Sequence, residues 1–357
     1  MTGRSPGHRP ADLGPALTLG QMLDRAAAEF PDREAVVFKS ARASYARLKE
    51  RADDFARGLL ALGVGSGDHV VLWMPNSVEW NVANLGIAKI GAVTVTCNSR
   101  YKALEVDYVL RQSDARALVM VDRFAAAGID YVAILREICP EVDRGHGRLE
   151  SATLPLLRHV VVAGAAVPAA GVSFDSVEGA GRGGESRALE RITIRPEDPV
   201  QMLYTSGTTG EPKGCLLSHG NMYYKCRVYT ELHGWTAEDR YLVPVPYFHI
   251  FGSMGGIAAN CLVGSTQIVM VPKVLDVSIV GVPDAIMGEV VMAFVIAKDG
   301  QALTAEEIVE FGRGRIADFK VPRYVEVVDR FPLTGSGKVQ KFKQRAYAED
   351  KYKLKPA

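Results

Sequence analysis

The sequence predicts an α/β protein: a large layered N-terminal domain with mostly parallel sheet flanked by helices, followed by a smaller C-terminal α+β domain. Three observations carry this. At roughly 100 to 200 residues per domain, the 357 residues call for more than one core. From Ser44 to Asp122, short β-branched runs alternate with helical periodicity, the rhythm of βα units that feed a parallel sheet. After Pro272 the pattern changes to two long strand signals, a helix, a third strand and a basic tail. The boundaries read from these shifts are a mobile Gly/Pro/Arg-rich start at 1–16, an N-terminal domain at 17–272 and a C-terminal domain at 273–357.

The clearest helix follows Ser44, an N-cap residue type. Leu48, Ala52, Phe55, Leu59 and Leu62 recur at three- and four-residue steps until Gly63 offers a stop. A strand at Val70 to Met74 leads through a Pro75-Asn76 turn into a second helical pattern, Val78 to Gly91. Val93 to Thr96 then reads as a strand, Ala103 to Leu110 as a helix, and Ala117 to Val121 as a strand. Between about 141 and 198 the text is rich in Gly, Ala and Arg, broken by one apolar stretch at His159 to Val162, and a long surface excursion is expected. Strand signals return at Val200 to Tyr204 and Thr266 to Val271. The last segment offers strands at Val277 to Val282 and Val290 to Ile296, a Lys298-Asp299-Gly300 turn, a helix from Thr304 and a strand at Tyr324 to Val328.

Composition narrows the function classes. Lys plus Arg number 42 against 41 Asp plus Glu, a net charge of +1, so no nucleic-acid or anionic-membrane partner is expected and an anion must be met locally. Five cysteines without a C-x-x-C pair indicate neither a disulfide framework nor a zinc site, and a reducing cytoplasm is the expected location. Apolar runs are interrupted before membrane-spanning length, so no integral membrane association is expected.

The strongest chemical signal is the run Tyr204-Thr205-Ser206-Gly207-Thr208-Thr209-Gly210-Glu211-Pro212-Lys213-Gly214, directly after an apolar strand. Glycines let backbone N–H groups approach an anion, four hydroxyls can donate to phosphate oxygens, and Lys213 adds a fixed positive charge. A polyphosphate cradle fits all three better than a solvated Ser/Thr/Gly linker does. The run is not a Walker A loop, because Pro212 stands where the second Gly is required. A second basic loop, Pro332 to Lys341, presents Lys338 on a Gly-Ser-Gly turn; taken alone it reads as a solvated surface lysine. His249, in Pro244 to Gly252, sits in a proline-stiffened aromatic segment that can wall an apolar pocket, although the residues by themselves favour a core histidine satisfied by backbone. His219 reads as a structural residue at a helix start. No H-E-x-x-H, G-x-S-x-G or G-x-G-x-x-G pattern is present, and no metal-ligating residues are singled out.

YTSGTTGEPKG, PYFHIFG and PLTGSGKVQKFK, in this order, resemble the signatures of the adenylate-forming (AMP-binding) enzymes: acyl-CoA synthetases, firefly-type luciferases and peptide-synthetase adenylation domains. The resemblance runs from the Leu17 region to the C-terminal block FGRGRIADFKVPRYVEVVDRFPLTGSGKVQKF, which is most similar to medium- and long-chain fatty acid:CoA ligases. It implies ATP-dependent activation of a carboxylic acid, in the presence of Mg2+, to an acyl adenylate, then transfer to the thiol of CoA. It further implies that Thr205, Ser206, Gly207, Thr208, Thr209, Gly210 and Lys213 hold the β- and γ-phosphates. His249 would border the acyl pocket, and Lys338 would bridge carboxylate and phosphate oxygens as charge builds in the first transition state. By the same resemblance the smaller domain rotates between half-reactions, moving Lys338 in and out.

One departure stands beside this likeness. Family members carry a domain-sized stretch between the strand ending near Val271 and the strand beginning near Val277, and this chain passes directly from one to the other. Absent with it are the aromatic-Gly-x-Thr-Glu motif, the Thr-Gly-Asp aspartate and the Gly-Arg-x-x-Asp hinge. Tyr229-Thr230-Glu231 lacks the glycine, and Gly312-Arg313 falls too late, inside the helix preceding Lys320. Two hydrogen bonds from a ribose-gripping carboxylate, at roughly 1.5 to 3 kcal/mol each, correspond to about a hundred- to ten-thousandfold in nucleotide affinity. The expectation is an acid:CoA ligase lineage with an internal segment missing and turnover near background. The rivals are a non-catalytic phosphate-binding or interaction remnant, and an adenylating enzyme with a different acceptor.

Overall fold

Val70, Val71, Leu72 and Trp73 are all fully buried, which a strand achieves only with covered faces on both sides. That strand is the centre of the first of two compact units, 1–271 and 272–357. The computed structural model describes residues 14–205, 212–269, 274–284, 287–297, 301–313, 321–332 and 339–354.

In the first unit, β1 (Glu34–Phe38) and β2 (Ala41–Ser44) form a hairpin, followed by β3 (His69–Trp73), β4 (Val93–Thr96) and β5 (Ala117–Val121). A two-residue pair, β6 (Arg123–Phe124) and β7 (Ile129–Asp130), precedes β8 (His159–Ala163), β9 (Gly171–Ser173), β10 (Pro199–Thr205), β11 (Lys213–Ser218), β12 (Arg240–Val243) and β13 (Thr266–Val269). The main sheet runs β11-β10-β4-β3-β5-β8-β9, parallel throughout except for the antiparallel edge strand β11. A second sheet, β12-β13-β1-β2, is parallel apart from the hairpin.

The helices are α1 (Leu19–Glu29), α2 (Tyr45–Ala61), α3 (Val78–Lys89), α4 (Ala103–Gln112), α5 (Tyr131–Ile138), α6 (Phe174–Arg182), α7 (His219–Leu232) and α8 (Ala259–Val263), the last continuing a π-helix over Phe251–Ala258. Most begin where a side-chain oxygen accepts an orphan N–H: Thr18 from Gln21, Ser44 from Arg47, Ser77 from Trp80, Asp130 from Ala133 and Ser218 from Asn221. Alternation along the strands divides the core. Val70, Leu72, Val119 and Val161 join α1, α2, α3 and α6 on one face, while Val71, Trp73, Leu118, Met120, Val160 and Val162 pack with α4 and α5 on the other.

The segment 141–198 is not the surface excursion its composition predicts. Leu149, Leu154, Leu157 and Val160 to Val162 are buried, β8 and β9 extend the main sheet, and α6 crosses α2 so closely that a Cβ on Gly181 would lie 1.7 Å from the Asp54 carbonyl oxygen. The Gly- and Ala-rich text therefore marks close helix packing, which composition does not separate from a loop. Phe174 stacks on Phe55 with ring centroids 4.4 Å apart, and Arg51 holds the buried Glu178 carboxylate through two hydrogen bonds of 2.8 and 3.1 Å.

The second unit holds β14 (Val274–Asp284), β15 (Gly288–Ala297), α9 (Ala305–Gly312), β16 (Tyr324–Val327) and α10 (Lys341–Lys351). The sheet order is β14-β15-β16, antiparallel then parallel. Val280, Val282, Met292 and Phe294 pack under α10, whose Gln344 accepts from Ser278 at 2.6 Å; Ala293, Val295 and Val325 pack under α9 on the opposite face. The basic tail is thus a helix that closes a core. Helix α9 ends at Gly312, so Arg313 caps it and does not lie within it. The expected Lys298-Asp299-Gly300 turn and the end of the Thr266 to Val271 strand lie outside the described residues.

Candidate active site

The antiparallel pair β10–β11 closes on Thr205 opposite Lys213, the two residues that flank the Ser/Thr/Gly run, and the Thr205 hydroxyl donates to the Lys213 carbonyl at 3.4 Å. Both are exposed at the carboxyl end of β10, the end at which open parallel sheets present ligands. Ser206, Gly207, Thr208, Thr209 and Gly210, the remainder of the expected cradle, lie outside the described residues. The base of the hairpin is clamped from α4: the Tyr108 hydroxyl donates to the Pro212 carbonyl at 2.7 Å, and the Tyr204 hydroxyl donates to Gln112. Burial pushes the Tyr204 phenol well up, so it stays a neutral donor.

Across from this hairpin lies the His249 segment. Asn76, in the turn after β3, holds it with both ends of its amide: Nδ2 donates to the Val245 carbonyl at 2.9 Å and Oδ1 accepts the Tyr247 N–H at 2.7 Å. The buried Tyr247 ring packs 5.1 Å from Trp80, and its hydroxyl donates to Gln267 at 2.9 Å. Behind His249, Gly252 is required, because a Cβ there would lie 2.1 Å from the Pro246 carbonyl oxygen. The buried Ser253 hydroxyl reaches Gln201 of β10 at 3.1 Å and the His249 carbonyl at 3.3 Å, tying the segment to the strand that carries Thr205. His249 itself is exposed, with its ring 4.5 Å from that of Phe248, and so is not the backbone-satisfied core histidine that the residues alone favoured.

Between the two elements lies a cleft of about 290 Å3 at the carboxyl ends of β4 and β10. Thr96, Asn98, Thr205 and His249 supply its polar groups, and Leu203, Leu217, Phe248 and Ile250 its apolar walls. Cys215 opens into it as an exposed thiol; all five cysteines are unpaired. Lys338 lies outside the described residues, so Thr205, Lys213 and His249 are the expected site residues with a described position. Among the described residues no three or more His, Cys, Asp or Glu side chains gather into a metal-binding group. His219 is buried at the start of α7, as its position in the sequence suggests: its Nδ1 accepts the Leu19 N–H at 3.0 Å, and burial lowers its pKa to about 4.

Sequence reading missed Asn76, Tyr108, Gln112, Gln201 and Ser253 as supports. Asn76 had the one legible signal, a Pro-Asn turn at a strand's carboxyl end; the others act through contacts between segments far apart in the chain. No described helix is long and apolar enough to cross a membrane.

The family model "AMP-binding enzyme" matches residues 23–286, and "AMP-binding enzyme C-terminal domain" matches residues 266–338, so the two overlap across β13 and β14. Medium-chain acyl-CoA ligase ACSF2, mitochondrial, of Pongo abelii is 37% identical over 267 residues, covering 71% of this chain and 43% of that protein. The inhibitor-bound N-terminal domain of FACL13 from Mycobacterium tuberculosis aligns at 28% identity with a TM-score of 0.56, over 71% of this chain and 57% of that one. The anthranilate CoA ligase AuaEII, solved with anthranoyl-AMP, shares the fold at 17% identity with a TM-score of 0.62, over 97% of this chain and 100% of that one. The chain spans less than half the length of the curated acyl-CoA synthetase and ligase relatives that it matches in sequence. The family-model match over residues 23–286, most of the chain, shows that the chain belongs to the AMP-binding enzyme family.

Proposed function

We propose that this chain carries the phosphate-binding hairpin and acid-binding cleft of an ATP-dependent acid:CoA ligase, an acid-thiol ligase that makes an acyl adenylate and then an acyl-CoA. The observation that carries the reading is the cleft that puts Thr205 and His249 on facing walls. In it, Thr205 to Gly210 and Lys213 hold the β- and γ-phosphates of ATP, while a carboxylic acid, of the fatty acid class, lies with its apolar part along Leu217, Phe248 and Ile250 beside His249. Lys338 delivers positive charge to the carboxylate and phosphate oxygens in the adenylation step. CoA is the acceptor. The division into an N-terminal part, 17–272, and a C-terminal part, 273–357, belongs to the same proposal, with Lys338 on the second part and the hairpin on the first, as does a cytoplasmic location, which the five unpaired cysteines support.

Magnesium ordinarily takes one or two carboxylates and the oxygens of nucleotide phosphates, and it would arrive with ATP. The described residues gather no ligand cluster for it. The adenine-, ribose- and hinge-directed motifs named above are missing from the sequence. Binding is therefore retained by local groups, whereas turnover is near background. Calorimetric titration of the full chain with pyrophosphate and with ATP tests this. Saturable binding that weakens about tenfold or more in Lys213→Ala supports it; no heat up to millimolar ligand, with the fold verified by circular dichroism, overturns it.

A further inference from the structure

The cleft between the hairpin and the His249 segment ends on a row of buried polar side chains. Paired residues on neighbouring strands point to the same face of a sheet, and so do residues two apart on one strand. Register therefore sets the side chains beside the cleft in rows across β4, β10 and β11. Thr205 and Lys213 form the outermost row and Leu203 and Cys215 the next, while Thr94, Gln201 and Leu217 form the third. Thr96, two residues beyond Thr94, shares their face. Thr96, Leu203, Thr205, Cys215 and Leu217 all line the cleft, so its inner end reaches the row that holds Gln201 and Thr94.

Gln201 is 1% exposed and Thr94 is fully buried. From the opposite wall, three residues after Ile250, the buried Ser253 hydroxyl donates to Gln201 Oε1 at 3.1 Å, so the two walls meet at this bond. It leaves two groups over. Among the described residues, Gln201 Nε2 and Thr94 Oγ1 have no hydrogen-bond partner, whereas the Thr96 hydroxyl, one row out, donates to the Met202 carbonyl at 3.4 Å. Buried polar atoms left over in this way are satisfied by a water or by a ligand. Leu203, Leu217, Phe248 and Ile250 give the rest of the cleft apolar walls, which offer a water few further partners.

On the reading of this cleft as the acid-binding site, we propose that Gln201 and Thr94 select an acid whose chain carries a hydroxyl group at its far end. A plain alkyl tail pushed against this row displaces any water and strands two buried polar groups, which opposes the gain from burying it. A hydroxyl there accepts from Gln201 Nε2 and exchanges a hydrogen bond with Thr94 Oγ1, while the apolar walls cover the methylenes. From Thr205 to Gln201 the strand runs about 13 Å, which a medium-length chain spans.

The test is calorimetric titration of the full chain with octanoate and with decanoate, each against its terminal-hydroxyl counterpart. At one chain length or both, the hydroxyl acid is expected to bind about tenfold more tightly, and Thr94→Val, which keeps the shape and removes the oxygen, is expected to cut that preference about threefold or more. Gln201→Leu is expected to cut it further; should that variant fail to fold because the Ser253 bond is lost, Thr94→Val decides alone. Plain acids that bind as tightly as their hydroxyl counterparts, or a preference unchanged in folded Thr94→Val, overturn the proposal and leave the cleft reading in place. If neither kind of acid gives heat up to millimolar concentration, the cleft reading itself fails and this proposal with it.

Discussion

The backbone N–H of Leu19 donates to Nδ1 of His219 at 3.0 Å, joining the first turn of α1 to the first turn of α7 across 200 positions of sequence. The imidazole is fully buried, so it must stay neutral to accept that bond.

This gives a pH dependence of stability. Burial lowers the folded-state pKa of His219 to about 4, below the ordinary value of 6.5, so the unfolded chain takes up the proton first. The stabilising contribution is complete above pH 6.5 and is lost as pH falls toward 4, on the order of 3 kcal/mol at 1.36 kcal/mol per pKa unit. Urea unfolding midpoints at pH 7 and pH 4.5 should differ accordingly, and His219→Gln should flatten that part of the profile. An unchanged slope in the variant would assign the dependence to other groups.

Asn76→Ala removes both hydrogen bonds to the His249 segment and leaves the Tyr247 N–H and Val245 carbonyl without partners. A loss of roughly 2 to 3 kcal/mol in unfolding free energy is expected. Asn76→Asp keeps an acceptor for Tyr247 and should fall between the two. Equal stabilities of Asn76→Ala and the parent chain would show that the segment is held by packing alone.

Gly252→Ala should destabilise by about 2 kcal/mol or more, because the new methyl meets the Pro246 carbonyl at 2.1 Å on backbone that cannot yield cheaply. Gly255→Ala, three residues on, meets its nearest neighbours at 3.8 Å and should be near neutral. Thermal unfolding of the two variants side by side measures the contrast, and similar shifts in both would refute the crowding argument.

Carboxylate-dependent exchange of pyrophosphate into ATP is expected near background in this chain, with Lys338→Ala making little further difference. The lysine's charge is useful only where the opposing adenine-, ribose- and phosphate-directed groups hold the nucleotide in place. A robust exchange rate abolished by Lys338→Ala would mean that the residues present suffice for adenylation.

The sequence by itself determined the parallel-sheet rhythm from α2 to β5, the change of pattern beyond residue 272, and the chemical character of the hairpin around Thr205 and Lys213. Those signals are local: a cap residue followed by 3.6-residue periodicity, a β-branched run, a density of hydroxyls beside a lysine. What only tertiary structure decided is whatever depends on residues far apart. The stretch 141–198 reads as loop text because its apolar residues are scattered, yet they fall into the two cores on either face of the sheet once β8 lies against β5, and Gly181 is explained only by the backbone of Asp54 facing it. His249 was legible as a pocket or a core residue and became an exposed cleft residue only because Asn76 and Ser253 fix its segment. The backbone hydrogen bonds that link His69, Arg116 and Arg158 at the amino ends of β3, β5 and β8 have no sequence signature either, since parallel strand register brings together positions 47 and 42 residues apart.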